Sequence, residues 1–110
     1  MLNFRLLPGR ITVPKLSSRA IHPGQRLAKQ IQASGLTQTE LARAIRVPVN
    51  RITRILNGTR NITAETAVRL GHFFGNPPEF WLNLQGVYDI QVVEEKAGRA
   101  IRNLPRFKRH

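Results

Sequence analysis

An all-α fold of five short helices, with a basic arm at each end, is what this 110-residue sequence predicts. Three observations carry the expectation. Between residues 22 and 96 apolar side chains recur three and four positions apart, the period of a helix with one buried face. Residues that start and stop helices fall at the ends of those periodic runs. The charge is also unevenly placed: Lys and Arg total 18 against 6 Asp and Glu, a net +12. Residues 1–21 carry Arg5, Arg10, Lys15 and Arg19 with no acid, and residues 97–110 carry Arg99, Arg102, Arg106, Lys108 and Arg109 with none. The stretch 22–96, with nine basic and six acidic residues, is nearly balanced and is expected to be the folded unit.

His22-Pro23-Gly24 reads as a turn, and the first helix follows from Gln25 to Ser34 with Leu27, Ala28 and Ile31 inward and Gly35 as its stop. Thr37-Gln38-Thr39-Glu40 is a capping box, in which threonine oxygen and glutamate carboxylate satisfy orphan amides reciprocally. It opens a second helix with Leu41, Ala42 and Ile45 inward. Pro48 suits the first turn of a third, where its missing N–H costs nothing. Ile52, Ile55 and Leu56 give that helix its inward face and Asn57-Gly58 ends it. Thr63 is the expected N-cap of a fourth helix bearing Ala67, Leu70, Gly71 and Phe74. In Asn76-Pro77-Pro78-Glu79, asparagine serves as the cap and proline as the first residue of a fifth, with Phe80, Trp81, Leu84, Val87 and Tyr88 as its apolar set. Pro8, Gly9 and Pro14 interrupt any helix in the N-terminal arm, so an acid-free extended arm or edge strand is expected there rather than an organellar transit helix.

Composition removes several functions. Cysteine is absent, which excludes disulfide frameworks, thiol chemistry and cysteine-ligated zinc. Asp89 is the sole aspartate and no nucleophile–base arrangement is visible, so the chain is expected not to be an enzyme and to need no cofactor. His22, His72 and His110 lack partners at metal-ligand spacing. No run approaches the roughly 18 apolar residues of a membrane span. A small, soluble, basic binding protein with a polyanionic partner is the expectation.

The second and third helices, joined by Arg46-Val47 with small Ala42 near their crossing, form a helix-turn-helix, whose second helix enters the major groove of DNA. Its outward residues are Val49, Asn50, Arg51, Thr53 and Arg54, the candidate base contacts. Arginine reads guanine O6 and N7, asparagine reads adenine N6 and N7, and valine meets a thymine methyl. The plain alternative for Arg51 and Arg54 is a solvated helix face, and for Asn50 a local cap. Candidate phosphate contacts are Thr37 and Gln38 at the start of the second helix, where free amides and the macrodipole favour an anion, with Arg46 in the turn and Asn57, Arg60 and Asn61 beyond the third helix. Trp81, Leu84, Tyr88 and Val92 are assigned to dimer or partner packing; for Trp81 and Leu84, as for Phe80, core packing is equally open, and a ligand pocket is the alternative to both. The C-terminal arm most simply adds phosphate attraction, although Ala97, Ala100, Ile101 and Leu104 keep helical spacing before Pro105.

The segment from Ile21 to Glu95, about 75 residues, resembles the HigA/VapI-type antitoxins, a branch of the Xre/Cro-like helix-turn-helix regulators. The matching runs are Ile21-His22-Pro23-Gly24, Gly35-Leu36-Thr37-Gln38-Thr39-Glu40-Leu41-Ala42, Val47-Pro48-Val49-Asn50-Arg51-Ile52, Leu56-Asn57-Gly58 and Pro78-Glu79-Phe80-Trp81-Leu82-Asn83-Leu84-Gln85. With Tyr88-Asp89, the last run is the most specific. The resemblance implies a five-helix Xre/lambda-repressor-like helix-turn-helix domain over residues 22–96 between arms 1–21 and 97–110. It further implies a cytoplasmic, nucleoid-associated bacterial homodimer that represses its own inverted-repeat operator and neutralises a RelE/HigB-like mRNA endonuclease. The turn position usually held by glycine is Arg46, a departure that costs roughly 1 kcal/mol if the residue is left-handed. The alternatives are a stand-alone Xre-type regulator without a toxin, and a general basic nucleic-acid-binding protein whose arms do the binding.

Overall fold

The computed structural model describes residues 6–7, 11–12 and 20–108. Five helices form the body: α1 (Pro23–Ser34), α2 (Gln38–Ile45), α3 (Val49–Leu56), α4 (Ala64–Phe74) and α5 (Pro78–Arg102). In the N-terminal arm, β1 (Leu6–Leu7) and β2 (Ile11–Thr12) pair antiparallel, Leu6 opposite Thr12 and Leu7 opposite Ile11. The rest of that arm, with Arg5, Arg10, Lys15 and Arg19, lies outside the described residues, as do Arg109 and His110.

The caps act where local chemistry puts them. Thr37 Oγ1 accepts the Glu40 N–H at 3.0 Å while Glu40 Oε1 accepts the Thr37 N–H at 2.9 Å, closing the capping box of α2. Thr63 caps α4, and left-handed Gly35 and Gly75 end α1 and α4. Three starts differ from expectation. The first helix begins at Pro23 rather than Gln25, because His22 Nδ1 accepts the Gly24 N–H at 2.9 Å and caps the helix two residues early. Pro48 is the N-cap of α3 rather than a residue of its first turn. Asn76 does not cap the fifth helix; Pro77 takes that position, and Asn76 Oδ1 instead accepts the Trp81 indole N–H at 2.8 Å. This last helix runs unbroken through residues 96 and 97, so residues 97–102 of the C-terminal arm are helical.

One core joins all five helices: Leu27, Ala28 and Ile31 meet Leu41, Ala42 and Ile45, the α3 residues Ile52, Ile55 and Leu56, then Ile62, Ala67, Leu70 and Trp81. The inward residues of α3 are 0–1% exposed. Burying each contributes about 1.5–3 kcal/mol, more than a typical net hydrogen bond, so packing rather than polar contact sets the angle of this helix. Gly24 is part of that setting. A Cβ there would strike the Ile55 carbonyl, so only glycine lets the start of α1 press against the end of α3.

Candidate nucleic-acid interface

With 100° per residue, α3 turns Ile52, Ile55 and Leu56 inward and leaves Asn50, Arg54 and Asn57 along the opposite line. All three are exposed, and Val49 at the start of the helix is 44% exposed. Arg51 and Thr53 flank the line, half-buried, and each is held by a neighbouring helix. The five candidate base-reading residues therefore form one ridge, but only Asn50 and Arg54 project from its centre as exposed polar groups.

On the α2 side, Thr53 Oγ1 donates to Gln38 Oε1 at 2.9 Å. That contact occupies the amide oxygen and leaves the amide N–H donors of Gln38 at the start of a helix, where an anion is favoured. Thr37 beside it is exposed, its hydroxyl oxygen engaged in the capping box. On the α4 side, Arg51 Nη1 lies 3.4 Å from Glu65 Oε1. Glu65 Oε2 accepts from Arg69 Nε and Nη2 at 3.2 and 3.0 Å, and Arg69 Nη1 donates to the Ile45 carbonyl at 2.8 Å. The hydrogen bonds from Arg69, then the charge of Arg51, hold the Glu65 carboxyl below its ordinary pKa. This chain of contacts ties the end of α2, the ridge and α4 together. Sequence reasoning missed Glu65 and Arg69. Their i, i+4 spacing was visible, whereas their reach to Arg51 and Ile45 spans 14 and 24 residues.

Arg46 occupies the turn between the two helices with φ 60° and ψ 51°, the left-handed conformation expected of a glycine. Among the described residues no other non-glycine has positive φ. Past α3, Asn57 and Asn61 are exposed and Arg60 is half-buried. Gln85, another residue the sequence did not reveal, fixes this loop. Its Oε1 accepts the Ile62 N–H at 2.7 Å and its Nε2 donates to Asp89 Oδ1 at 3.0 Å, which pins the α3–α4 connection to α5.

The residues assigned to partner packing separate. Trp81 is wholly buried in the chain's own core, so it offers no surface to a partner; that assignment is corrected. Leu84 is half-buried and lines an open groove with Ile21, Phe80, Asn83, Val87 and Gln91. Tyr88 and Val92 are half-buried, Tyr88 meeting the His22 ring edge-on at 4.8 Å. His22 itself is spent on capping, and burial pushes its pKa down against the opposing charge of Asp89. Among the described residues no three His, Cys, Asp or Glu side chains gather as a metal site. No helix among them is long and apolar enough to cross a membrane.

Comparison with known proteins agrees with this geometry. The helix-turn-helix family model HTH_3 matches residues 27–81. Virulence-associated protein I of Dichelobacter nodosus is 42% identical over 77 residues, which are 69% of this chain and 71% of that protein. The structure of a HigA-family addiction-module antidote protein from Coxiella burnetii superposes with a TM-score of 0.78 at 46% identity, covering 81% of this chain and 99% of that one. The Pseudomonas aeruginosa antitoxin HigA, solved with the higBA promoter, superposes with a TM-score of 0.77 at 30% identity, covering 82% of this chain and 100% of that one.

Proposed function

This chain belongs to the helix-turn-helix family HTH_3, in its HigA/VapI-type antitoxin branch, and on that premise we propose that it is a sequence-specific repressor and antitoxin. It binds an inverted-repeat operator as a homodimer, with α3 in the major groove, and neutralises a RelE/HigB-like endonuclease. It works by binding rather than by catalysis, in the bacterial cytoplasm on nucleoid DNA. The observation that carries the reading is the ridge itself: Asn50 and Arg54 exposed in line, directly behind them aliphatic residues 0–1% exposed. A polar edge backed by a rigid apolar wall is what reading base edges demands, since an arginine must hold guanine O6 and N7 together. Support for the promoter as target comes from the Pseudomonas aeruginosa relative solved with the higBA promoter, whose chain shares this fold over its whole length.

The test is a titration of the DNA upstream of the chain's own reading frame, and of a scrambled duplex, with the unaltered chain and with Arg54→Ala. The variant is expected to lose about 5- to 150-fold on the upstream duplex, the range of one bidentate pair, and to leave its affinity for the scrambled one nearly intact. Equal losses on both duplexes refute base readout. Removing residues 103–110 separates this reading from that of a general basic binder. The repressor keeps its preference with a shallower salt slope, whereas the general binder loses its affinity. Co-expression with the neighbouring small reading frame tests the toxin, and sedimentation tests the dimer.

A further inference from the structure

We infer that Glu65 is a specificity-determining positioning residue: its carboxylate restrains Arg51 from the DNA backbone and leaves it one base edge to read. The inference rests on the repressor reading above. It begins from an anomaly of charge. The DNA-facing region from Thr37 to Arg69 holds Arg43, Arg46, Arg51, Arg54, Arg60 and Arg69 but only two acids, Glu40 and Glu65. Glu40 is accounted for by the capping box. Glu65 remains 59% exposed beside the ridge, where a carboxylate repels phosphate and lowers affinity for any duplex.

The geometry gives that carboxylate a task. One oxygen is gripped by Arg69 through Nε and Nη2, and Arg69 is itself anchored on the Ile45 carbonyl, so the acid is fixed to the end of α2. The other oxygen faces Arg51 Nη1 at 3.4 Å, a distance that restrains without fully engaging the donor. The Arg51 side chain is accordingly only 20% exposed, against an exposed Arg54 one helical turn along. A guanidinium carries five donors; with Nη1 turned to Glu65, the donors that remain still suffice for guanine O6 and N7. Phosphate is the competitor for the same guanidinium on every sequence alike, and the adjacent carboxylate opposes it by charge. The acid thus exchanges general affinity for discrimination.

The experiment uses the full chain and two probes: a duplex selected from a random pool by the unaltered protein, and a scrambled duplex of equal length. Both are titrated at several salt concentrations with melting measured alongside. Glu65→Gln is expected to bind the scrambled duplex more tightly, to steepen its salt slope by about 0.9 for each phosphate gained, and to lower the selected-to-scrambled ratio about three- to tenfold. In an Arg51→Ala background the same change is expected to leave the ratio unaltered, because Arg51 transmits the effect. An unaltered ratio in Glu65→Gln overturns the inference, as does a parallel loss on both duplexes that follows the melting temperature. An equal change of ratio without Arg51 overturns it as well. If the unaltered protein selects no preferred duplex, the repressor reading falls first and the inference with it.

Discussion

Replacing Arg46 by glycine should separate what the turn does for the fold from what its side chain does for binding. Arg46 sits at φ 60° and ψ 51°, with the Val47 N–H reaching back to the Ala42 carbonyl at 3.0 Å to close the helix end. A side chain in that conformation costs about 1–2 kcal/mol through the clash of Cβ with the carbonyl that follows. Glycine removes the clash but frees the unfolded chain, which costs about 0.5–1 kcal/mol in return. The difference is a gain between zero and about 1.5 kcal/mol. In a domain of this size each kcal/mol moves the melting temperature by about 4–8 °C. Circular-dichroism melts of Arg46→Gly should therefore show an unchanged or higher midpoint. Anisotropy titrations on specific and scrambled duplexes should show equal losses and a salt slope shallower by about 0.9, the signature of one phosphate contact removed. A midpoint several degrees lower would refute the backbone reasoning, and an unchanged slope would refute the phosphate contact.

Three other outcomes follow from the packing. Gly24→Ala places a methyl against the Ile55 carbonyl at the end of the reading helix, and should cost about 1–3 kcal/mol in denaturant unfolding, as overpacking does. Gln85→Leu leaves the buried Ile62 N–H without its acceptor, which should cost about 1–3 kcal/mol and raise amide exchange in the loop carrying Asn57, Arg60 and Asn61. For His22, burial lowers the folded-state pKa below the ordinary 6.5, so below that pH the unfolded chain binds a proton that the folded chain does not. Its contribution is whole above pH 6.5 and is lost as pH falls from there toward the folded value. Denaturant midpoints from roughly pH 5 to 7.5 should fall with acid, and His22→Asn, which keeps a capping acceptor but cannot titrate, should flatten that part of the slope.

What could be read from the sequence is what acts over four residues or fewer. Thr37 with Glu40, Thr63 and Gly35 did their expected work because a cap and its partner amide are neighbours in the chain. The ridge was legible for the same reason, helical period deciding which side of α3 faces inward. Asn76 shows the limit: its oxygen was the natural cap, but the Trp81 indole five residues on claimed it, and a proline took the cap position without a side-chain bond. Nothing local distinguishes a tryptophan buried in its own chain from one buried by a partner. The arm boundary drawn at 96/97 followed charge, and the helical spacing noted beyond it is part of α5, which continues to Arg102. Gly98 there lies under the Glu94–Arg102 ion pair, with room for no Cβ unless those side chains shift.

The charge count of the middle segment misleads in a way only the fold explains. Nine cations against six acids suggest a surface close to neutral. Yet the acids are largely engaged within the molecule: Glu40 in a cap, Glu65 between two arginines, Asp89 with Gln85, Glu94 with Arg102. Among the described residues Arg43, Arg46, Arg54 and Arg60 make no ion pair; Arg54 lies on the ridge, Arg46 in the turn before α3 and Arg60 in the loop after it. Between Thr37 and Arg69 six arginines stand against two acids, Glu40 and Glu65, so the surplus of positive charge is concentrated in that stretch. The near-balance therefore conceals a face that is strongly positive where DNA would approach. On the proposed reading, the choice of sequence falls to five residues of α3, Val49, Asn50, Arg51, Thr53 and Arg54, and to the two helices that brace them.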